Sequence, residues 1–269
     1  MIHSDWHIHT TASYDAKLPL PTLIDAAQKQ GLRAFGMTDH ANYNDRSFLG
    51  NIAESQRLYE QYRVPELKFG VEFTPIAKPM YDYIAKHGTR EGYVPVPQDK
   101  PYDIELALTL DEMKALGMSY SVGAAHWRVD VADARTVDNS AYAQIKEWFR
   151  QQMWLACDPR VTILGHPWSC NQTWYDDFSM IPRMMHDELG AALKENRKYI
   201  ECNAGMLISP KLTDFFKRQY ADFLRYMFEK GIPITYGSDC HGPEYPDNRA
   251  QCEEYLSYAG FRDGDFSEL

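Results

Sequence analysis

Hydrophobic and polar positions divide the chain into two kinds of segment. Short runs of apolar, β-branched and aromatic residues recur, and an amphipathic stretch usually follows each run. The apolar runs predict strands near residues 2–7, 33–39, 67–73, 119–125, 161–166, 199–203 and 233–238. The amphipathic stretches predict helices near residues 21–30, 50–62, 139–157, 182–196, 213–230 and 247–259. Because each helix carries the chain back across the sheet, we expect the strands to pair in parallel.

One segment interrupts this alternation. Residues 74–118 are rich in proline, tyrosine and charge, and they predict a long insertion after the third strand, of the kind that often shapes an active site. The pattern alone leaves both a closed barrel and a doubly wound sheet open. No Gly-x-Gly-x-x-Gly turn follows the first strand, so a dinucleotide-binding fold has no support. We expect a single domain over residues 1–269 with one elaborated loop.

Composition and charge narrow the class of protein. The chain has 269 residues, of which 44% are hydrophobic, so it can bury a substantial core. Its formal net charge of −10 argues against stable, non-specific nucleic-acid binding, which usually needs a basic face. Five cysteines without a CxxC pair favour reduced thiols over a disulfide framework. With no membrane-spanning apolar run and no signal-like N-terminus, the sequence predicts a cytoplasmic protein that does not interact with membranes.

Nine histidine, aspartate and glutamate residues, all of them potential metal ligands, fall at the carboxyl ends of the predicted strands. They are His7, His9, Asp15, His40, Glu72, His126, His166, Asp239 and His241. In a parallel barrel these strand ends share one face, where such folds build their active sites. His3, His87 and His186 have no such position, and we expect no metal role for them.

The residue types indicate which ions this face would hold. Imidazole nitrogens and carboxylate oxygens suit zinc, manganese or iron, and the lack of thiolates argues against a structural zinc finger. His7 and His9 alternate along one strand, so both side chains point to the same side and can reach one ion. Since one ion uses three or four protein ligands, nine ligands predict two or three ions, with a carboxylate such as Glu72 as a bridge.

At these residues the sequence resembles the PHP family, the polymerase and histidinol phosphatase superfamily. The similarity extends over nearly the whole chain, in motifs such as Asp5-Trp6-His7-Ile8-His9-Thr10, Met37-Thr38-Asp39-His40, Gly165-His166-Pro167 and Ser238-Asp239-Cys240-His241. The resemblance implies a distorted, TIM-like (β/α)7 barrel with a trinuclear metal site. The segment after Glu72, Phe73-Thr74-Pro75-Ile76, departs from the histidinol phosphatase pattern, so the resemblance does not carry a substrate.

The resemblance also implies how the ligands are shared among the ions. The first ion would be held by His7, His9, Glu72 and Asp239. The second would be held by Asp15, His40 and His241. Glu72 would bridge to a third ion held by His126 and His166.

The predicted reaction is hydrolysis of a small-molecule phosphate monoester, as in histidinol phosphatases. Closely spaced ions would activate a bridging hydroxide for attack on phosphorus and neutralise the phosphoryl oxygens. The predicted catalytic residues are Asp239, His241, Asp39 and Asp5, the last two as carboxylates that orient ligand imidazoles. Arginines in loops after ligand-bearing strands are the candidates for binding phosphate, namely Arg128, Arg249 and Arg46.

Alternative functions share much of this site. A PHP phosphodiesterase would use the same ions, and a TatD-like nuclease or another amidohydrolase also begins with His-x-His. A non-catalytic metal-binding PHP module is a further alternative, although degenerate copies typically lose ligands and all nine positions here hold competent groups. The expected partner is a small phosphorylated substrate, and a homo-oligomer is left open.

Overall fold

The computed structural model describes residues 1–41, 46–78, 103–126, 140–169 and 177–269, without the side chains of residues 46–50. The strands are β1 Ser4–Ile8, β2 Ala34–Met37, β3 His40–Ala41, β4 Leu67–Phe69, β5 Glu72–Phe73, β6 Ile76–Ala77, β7 Ile104–Glu105, β8 Val122–Gly123, β9 Ile163–Leu164, β10 Tyr199–Asn203 and β11 Ile234–Gly237. A short break divides the predicted second strand into β2 and β3 and the predicted third strand into β4 and β5. The insertion adds a pair of short strands, β6 and β7.

Two parallel sheets form the centre of this mixed α/β fold. One has the strand order β1-β2-β4, and the other has the order β11-β10-β9-β8-β5-β3. Parallel pairing confirms the expectation from the strand and helix alternation. In the described part of the insertion, β6 and β7 pair antiparallel as a separate ribbon.

The helices follow the strands as predicted, with two short additions. They are α1 Leu20–Lys29, α2 Arg46–Tyr62, α3 Leu110–Ala115, α4 Ala141–Cys157, α5 Arg183–Glu195, α6 Ala204–Ile208, α7 Asp214–Glu229 and α8 Arg249–Tyr258. Helices α3 and α6 were not predicted from the sequence. Among the described residues, no helix is both long and apolar enough to cross a membrane.

Helix α7 illustrates how the sequence fixes an element and its buried face. The Thr213 hydroxyl accepts a hydrogen bond from the Phe216 amide and so satisfies one of the free N–H groups at the helix start. Phe216, Tyr220, Phe223 and Met227 recur at spacings of three and four, and all four are buried in the main core. The stripe therefore packs α7 against the sheet.

Breaks within two strands place ligand residues next to each other. The chain leaves the β2 ladder at Thr38 and re-enters pairing at His40, while the neighbouring strand is interrupted at Gly70 and resumes at Glu72. In the new register His40 lies directly opposite Glu72, and Glu72 lies opposite Val122 of β8. The two interruptions thus position a histidine and a carboxylate side by side at the carboxyl end of the sheet.

The edges of the two sheets also meet. Ile8 at the end of β1 forms a parallel bridge with Cys240, just beyond β11. The Asp239 amide donates to the His7 carbonyl at 2.7 Å, and the His9 amide donates to the Cys240 carbonyl at 3.2 Å. The ligand-bearing ends of β1 and β11 are therefore tied by main-chain hydrogen bonds.

Candidate metal centre

The structure brings all nine sequence-predicted ligands to one end of the strands. His7 lies on β1 and His9 directly after it, and Asp15 is in the loop that follows. His40 and Glu72 begin β3 and β5, whereas the other four follow the ends of their strands: His126 after β8, His166 after β9, and Asp239 and His241 after β11. Side chains that are distant in sequence therefore converge on one small volume.

Glu72 lies at the centre of this cluster. It is fully buried, and no main-chain amide or hydroxyl group of the described residues donates to either carboxylate oxygen. Five imidazole nitrogens lie close to these oxygens, at 2.7 Å for His40, 3.2 Å for His126, 3.3 Å for His166, 3.3 Å for His9 and 3.4 Å for His7. Since a buried carboxylate is costly without partners, this arrangement fits an oxygen donor to cations.

The ligand atoms form three groups, two of which share His9, and within each group every ligand atom lies within 4.8 Å of the others. The groups are His7, His9 and Asp239; Glu72, His126 and His166; and His9, His40 and His241. The third group also has a carboxylate nearby, because Asp15 Oδ2 is 3.4 Å from His40 Nε2 and 3.7 Å from His241 Nε2. Each group can hold one ion.

The spacing of the imidazole nitrogens matches shared coordination. Two nitrogens bound to one tetrahedral zinc, each about 2.05 Å from the ion, would lie about 3.3 Å apart. The Nε2 atoms of His7 and His9 are 3.1 Å apart, those of His126 and His166 are 3.3 Å apart, and those of His40 and His241 are 3.4 Å apart. The donor set is nitrogen and oxygen alone, which suits zinc, manganese or iron.

Opposite charges inside the cluster shift its proton affinities strongly. Burial alone would raise the pKa of Glu72, but the imidazoles of His126, His40 and His7 hold it well below its usual value. Burial would lower the pKa of His40, but the carboxylates of Glu72 and Asp15 raise it to about 10. The metal-free cluster therefore binds protons where cations would otherwise stand, and metal binding at neutral pH would release them.

A second layer of groups fixes the orientation of several ligand rings. The Nδ1 atoms face an oxygen in four cases: Glu201 Oε1 for His7 at 2.7 Å, Ser13 Oγ for His9 at 3.1 Å, Thr74 Oγ1 for His126 at 2.8 Å, and the Asp239 carbonyl for His241 at 2.9 Å. With Nδ1 engaged, Nε2 of each ring points into the cluster. This is how metal-ligating histidines are usually held.

Among these orienting groups, Glu201 and Thr74 were not identified from the sequence. Both had a recognisable signal. Glu201 is a carboxylate inside the apolar predicted strand at 199–203, and Thr74 follows Glu72 by two residues, so the two side chains share one side of an extended segment. A charged residue in a buried strand is costly unless it has a specific partner.

Two ligands have unusual backbone conformations. Asp239 has a φ of 52° and His166 a φ of 20°, although neither is glycine. Such conformations cost roughly 1–3 kcal/mol each and persist where the surrounding structure enforces them. The conformation of Asp239 is held by the hydrogen bond from its amide to the His7 carbonyl. The conformation of His166 is held by the hydrogen bond from its amide to the Glu201 carboxylate.

Asp5 and Asp39 were predicted to orient ligand imidazoles, but their hydrogen bonds go to main-chain amides and hydroxyl groups instead. Asp5 accepts hydrogen bonds from the amides of His7 and Ser238 and from the Tyr245 hydroxyl. Asp39 accepts from the amide and hydroxyl of Thr10 and from the hydroxyl of Ser55. Both carboxylates hold the main chain that carries the ligands, because their short side chains reach neighbouring strand ends before they reach a ring.

The prediction that Arg249 binds phosphate is also wrong. Its guanidinium donates to the Ile2 carbonyl at 3.1 Å and to the Gln30 carbonyl at 2.7 Å. Ile2 precedes β1 and Gln30 precedes β2, so Arg249 lies at the amino ends of the strands, opposite the ligand cluster. The loop after β11 returns the chain to that end before α8 begins. Arg128 and the side chain of Arg46 lie outside the described residues.

The described ligand side chains differ in how much of their surface is exposed. The side chains of Glu72, His7 and His9 are almost fully buried, whereas those of Asp15, His241 and Asp239 are 37%, 32% and 27% exposed. Among the described residues, Asp15, His241 and Asp239 therefore form the exposed edge of the cluster.

Known proteins resemble the chain in both sequence and structure. The sequence pattern of the PHP domain family matches residues 5–205. A probable histidinol-phosphatase of Thermotoga maritima is 34% identical over 64 residues, and this stretch spans 23% of the chain and only 28% of that relative.

Among solved structures, the fold is similar to that of histidinol phosphate phosphatase from Lactococcus lactis subsp. lactis Il1403. That crystal structure is a complex with zinc, L-histidinol and phosphate. The TM-score is 0.62 at 16% sequence identity, with 97% of this chain and 94% of that chain covered. At this identity the likeness concerns the fold, which is the same mixed α/β arrangement.

Proposed function

We propose, from the premise that the chain belongs to the PHP domain family, that it is a metal-dependent hydrolase of small phosphate monoesters. The observation that carries the proposal is the fully buried Glu72 carboxylate, whose oxygens face five imidazole nitrogens at 2.7–3.4 Å. Family membership and the similarity to histidinol phosphatases support ester hydrolysis as the use of this site.

In this proposal three divalent ions share the ligands. One is held by His7, His9, Asp239 and Glu72, and one by His40, His241 and Asp15. One is held by His126, His166 and Glu72. The three groups of converging donor atoms support this division. Glu72 would contribute to two positions, because its oxygens face His126 and His166 as well as His7 and His9.

The protein residues prepare the site for an anionic substrate. When bound, the ions lower the pKa of a coordinated water and neutralise phosphoryl oxygens, which allows an acidic protein to bind a phosphate ester. The orienting oxygens of Glu201, Ser13 and Thr74 accept the Nδ1 protons of their imidazoles, so the Nε2 lone pairs stay directed inward. The buried side around Glu72 excludes water, and the open edge at Asp15 admits the ester.

We also propose that the strands close into a distorted seven-stranded barrel within a single domain of residues 1–269. Three observations support closure: β2 and β3 are successive parts of one strand, β4 and β5 likewise, and the bridge between Ile8 and Cys240 joins β1 to the end of β11. A crystal structure tests this, because a gap between β1 and β11 would replace the barrel with an open sheet. The cytoplasmic location and any homo-oligomer stay predictions.

The test of the proposed function compares esters on protein loaded separately with zinc, manganese and iron. We expect hydrolysis of p-nitrophenyl phosphate and of small phosphorylated metabolites, and weaker activity on bis(p-nitrophenyl) phosphate and single-stranded DNA. Faster cleavage of the diester or of DNA would replace the monoesterase with a phosphodiesterase or nuclease. Stoichiometric metal without hydrolysis of any of these esters would indicate a non-catalytic metal-binding module.

A further inference from the structure

Glu201 contacts two of the ligand groups at once. This residue of β10 is 1% exposed. Its Oε1 atom lies 2.7 Å from His7 Nδ1, and its Oε2 atom accepts a hydrogen bond from the main-chain amide of His166. His7 belongs to the group with His9 and Asp239, whereas His166 belongs to the group with Glu72 and His126. One carboxylate therefore connects ligands of two different groups.

Asn203 extends this connection to a third ligand. Its Oδ1 atom accepts from the Gly205 amide at 2.9 Å at the start of α6, which leaves its Nδ2 group as the donor. Nδ2 lies 3.4 Å from Glu201 Oε2 and 3.3 Å from Asp239 Oδ2. Asp239 belongs to the same ligand group as His7. Glu201 therefore contacts one member of this group, His7, directly and a second member, Asp239, through Asn203.

The neighbouring strand is shaped to leave room for the Glu201 side chain. In the parallel register of β10 and β11, Gly237 is the partner of Asn203. A Cβ atom added at Gly237 would collide with Glu201 Oε1 and would lie 2.7 Å from His7 Cβ. The glycine before Ser238-Asp239-Cys240-His241 therefore lets the carboxylate pass across β11 to reach β1.

We propose that Glu201 is a positioning residue that couples the ion position built on His7 to the ion position built on His166. The inference rests on the metal binding proposed above. One oxygen fixes the tautomer and orientation of the His7 ring, and the other fixes the main chain that presents His166. A carboxylate is required because both partners donate protons. Glutamine has one accepting oxygen, so its NH2 group would face one of the two donors.

The ion position built on His40 and His241 serves as an internal control for the effect of Glu201. His241 is oriented by the Asp239 carbonyl, and His40 is flanked by Glu72 and Asp15. None of the hydrogen bonds described for Glu201 reaches either ring. Loss of its carboxylate should therefore weaken two ion positions together and spare the one built on His40 and His241.

The experiment titrates the metal-free full-length protein with Co²⁺ and follows calorimetry and visible absorption. For Glu201→Gln we expect affinity at two positions to fall by roughly 10–100-fold, as is typical when the group behind a metal ligand is removed. The third position should keep its wild-type affinity and absorption band. Wild-type affinity at all positions in this variant would overturn the inference, and so would equal weakening of all three.

Two further variants keep the test decisive. Glu147→Gln makes the same chemical change at another buried carboxylate, which pairs with Arg150 on α4, and it should titrate like wild type. If Glu201→Gln does not fold, Glu201→Asp decides the outcome, because it keeps the charge but is too short to reach both partners. Unchanged Co²⁺ binding by Glu201→Asp would overturn the inference. Failure of the wild-type protein to bind Co²⁺ would instead refute the proposed metal centre.

Discussion

Buried histidines occur in two contrasting regions of this molecule. At the carboxyl ends of the strands, imidazoles face carboxylates and one another across 2.7–3.5 Å. Between α5 and α7, His186 instead packs among aromatic rings, with centroid distances of 4.7 Å to Phe223, 5.7 Å to Trp168 and 5.8 Å to Phe178. Among the described residues, groups of nitrogen and oxygen atoms that could share an ion surround the first histidines, whereas aromatic rings contact His186.

The pKa of His40 in the strand-end cluster and the pKa of His186 shift in opposite directions. Burial lowers the pKa of His186 to about 4, and the neighbouring Arg183 contributes to the decrease. For His40, carboxylates more than offset the effect of burial. Burial alone therefore does not set the pKa of a histidine, because neighbouring carboxylates can reverse the effect of burial, as they do at His40.

Replacement of Glu72 should produce the largest difference in turnover between a variant of the metal cluster and a variant of the aromatic region. In Glu72→Gln, two ion positions lose an anionic donor, and we expect turnover of p-nitrophenyl phosphate to fall by roughly a thousand-fold, or ~4 kcal/mol of transition-state stabilisation. His186→Phe is the matched change in the aromatic region and should keep wild-type turnover. Activity of Glu72→Gln within tenfold of wild type would remove Glu72 from the centre of the site.

The acid sensitivity of folding should arise in part from the aromatic region. His186 has a folded pKa of about 4 and an ordinary unfolded value near 6.5, so between these values the unfolded chain binds more protons. Its contribution to stability is therefore complete above pH 6.5 and is lost as the pH falls toward 4. The loss is on the order of 3 kcal/mol.

Urea denaturation of metal-free protein at pH 7.5 and pH 4.5 measures this contribution. In His186→Phe the aromatic contacts are kept and the titrating group is removed, so the decrease in unfolding free energy between the two pH values should be smaller than in wild type by about that amount. Equal decreases in both proteins would show that His186 titrates normally in the folded state.

Removal of the Thr74 hydroxyl, which contacts Nδ1 of His126, should have a smaller effect on metal binding and turnover. In Thr74→Val, His126 loses the partner at its Nδ1 atom, and we expect roughly tenfold weaker metal binding or turnover. Thr235→Val provides the control, since the Thr235 hydroxyl is buried without a hydrogen-bond partner and its removal should be neutral or stabilising. Equal effects of the two variants on metal affinity would contradict the orienting role of Thr74.

The parts of the structure that were predictable depend on local pattern. Every predicted strand and helix segment contains a described element, because alternation of apolar runs and amphipathic stretches reflects burial directly. The missed helix α3 also had a local signal: Thr109 and Glu112 form a capping box, in which each side chain bonds the other residue's amide. Short α6 follows β10 without a loop and has no comparable signal, apart from the Asn203 cap.

The candidate site was predictable where strand ends determine position. The nine proposed ligands follow from the rule that parallel strands present their carboxyl ends on one face. The contacts of Asp5, Asp39 and Arg249 did not follow, because they depend on which neighbouring main chain a side chain reaches in three dimensions. The same holds for Glu201, which crosses β11 only because residue 237 is glycine.

Metal content is the most direct measure of the central claim, that the strand-end cluster holds several divalent ions. Protein purified without chelators should be analysed by inductively coupled plasma mass spectrometry, with the Glu72→Gln variant in parallel. We expect two or three equivalents of zinc, manganese or iron per wild-type chain, and fewer in the variant. Less than one equivalent in the wild-type protein would contradict this claim.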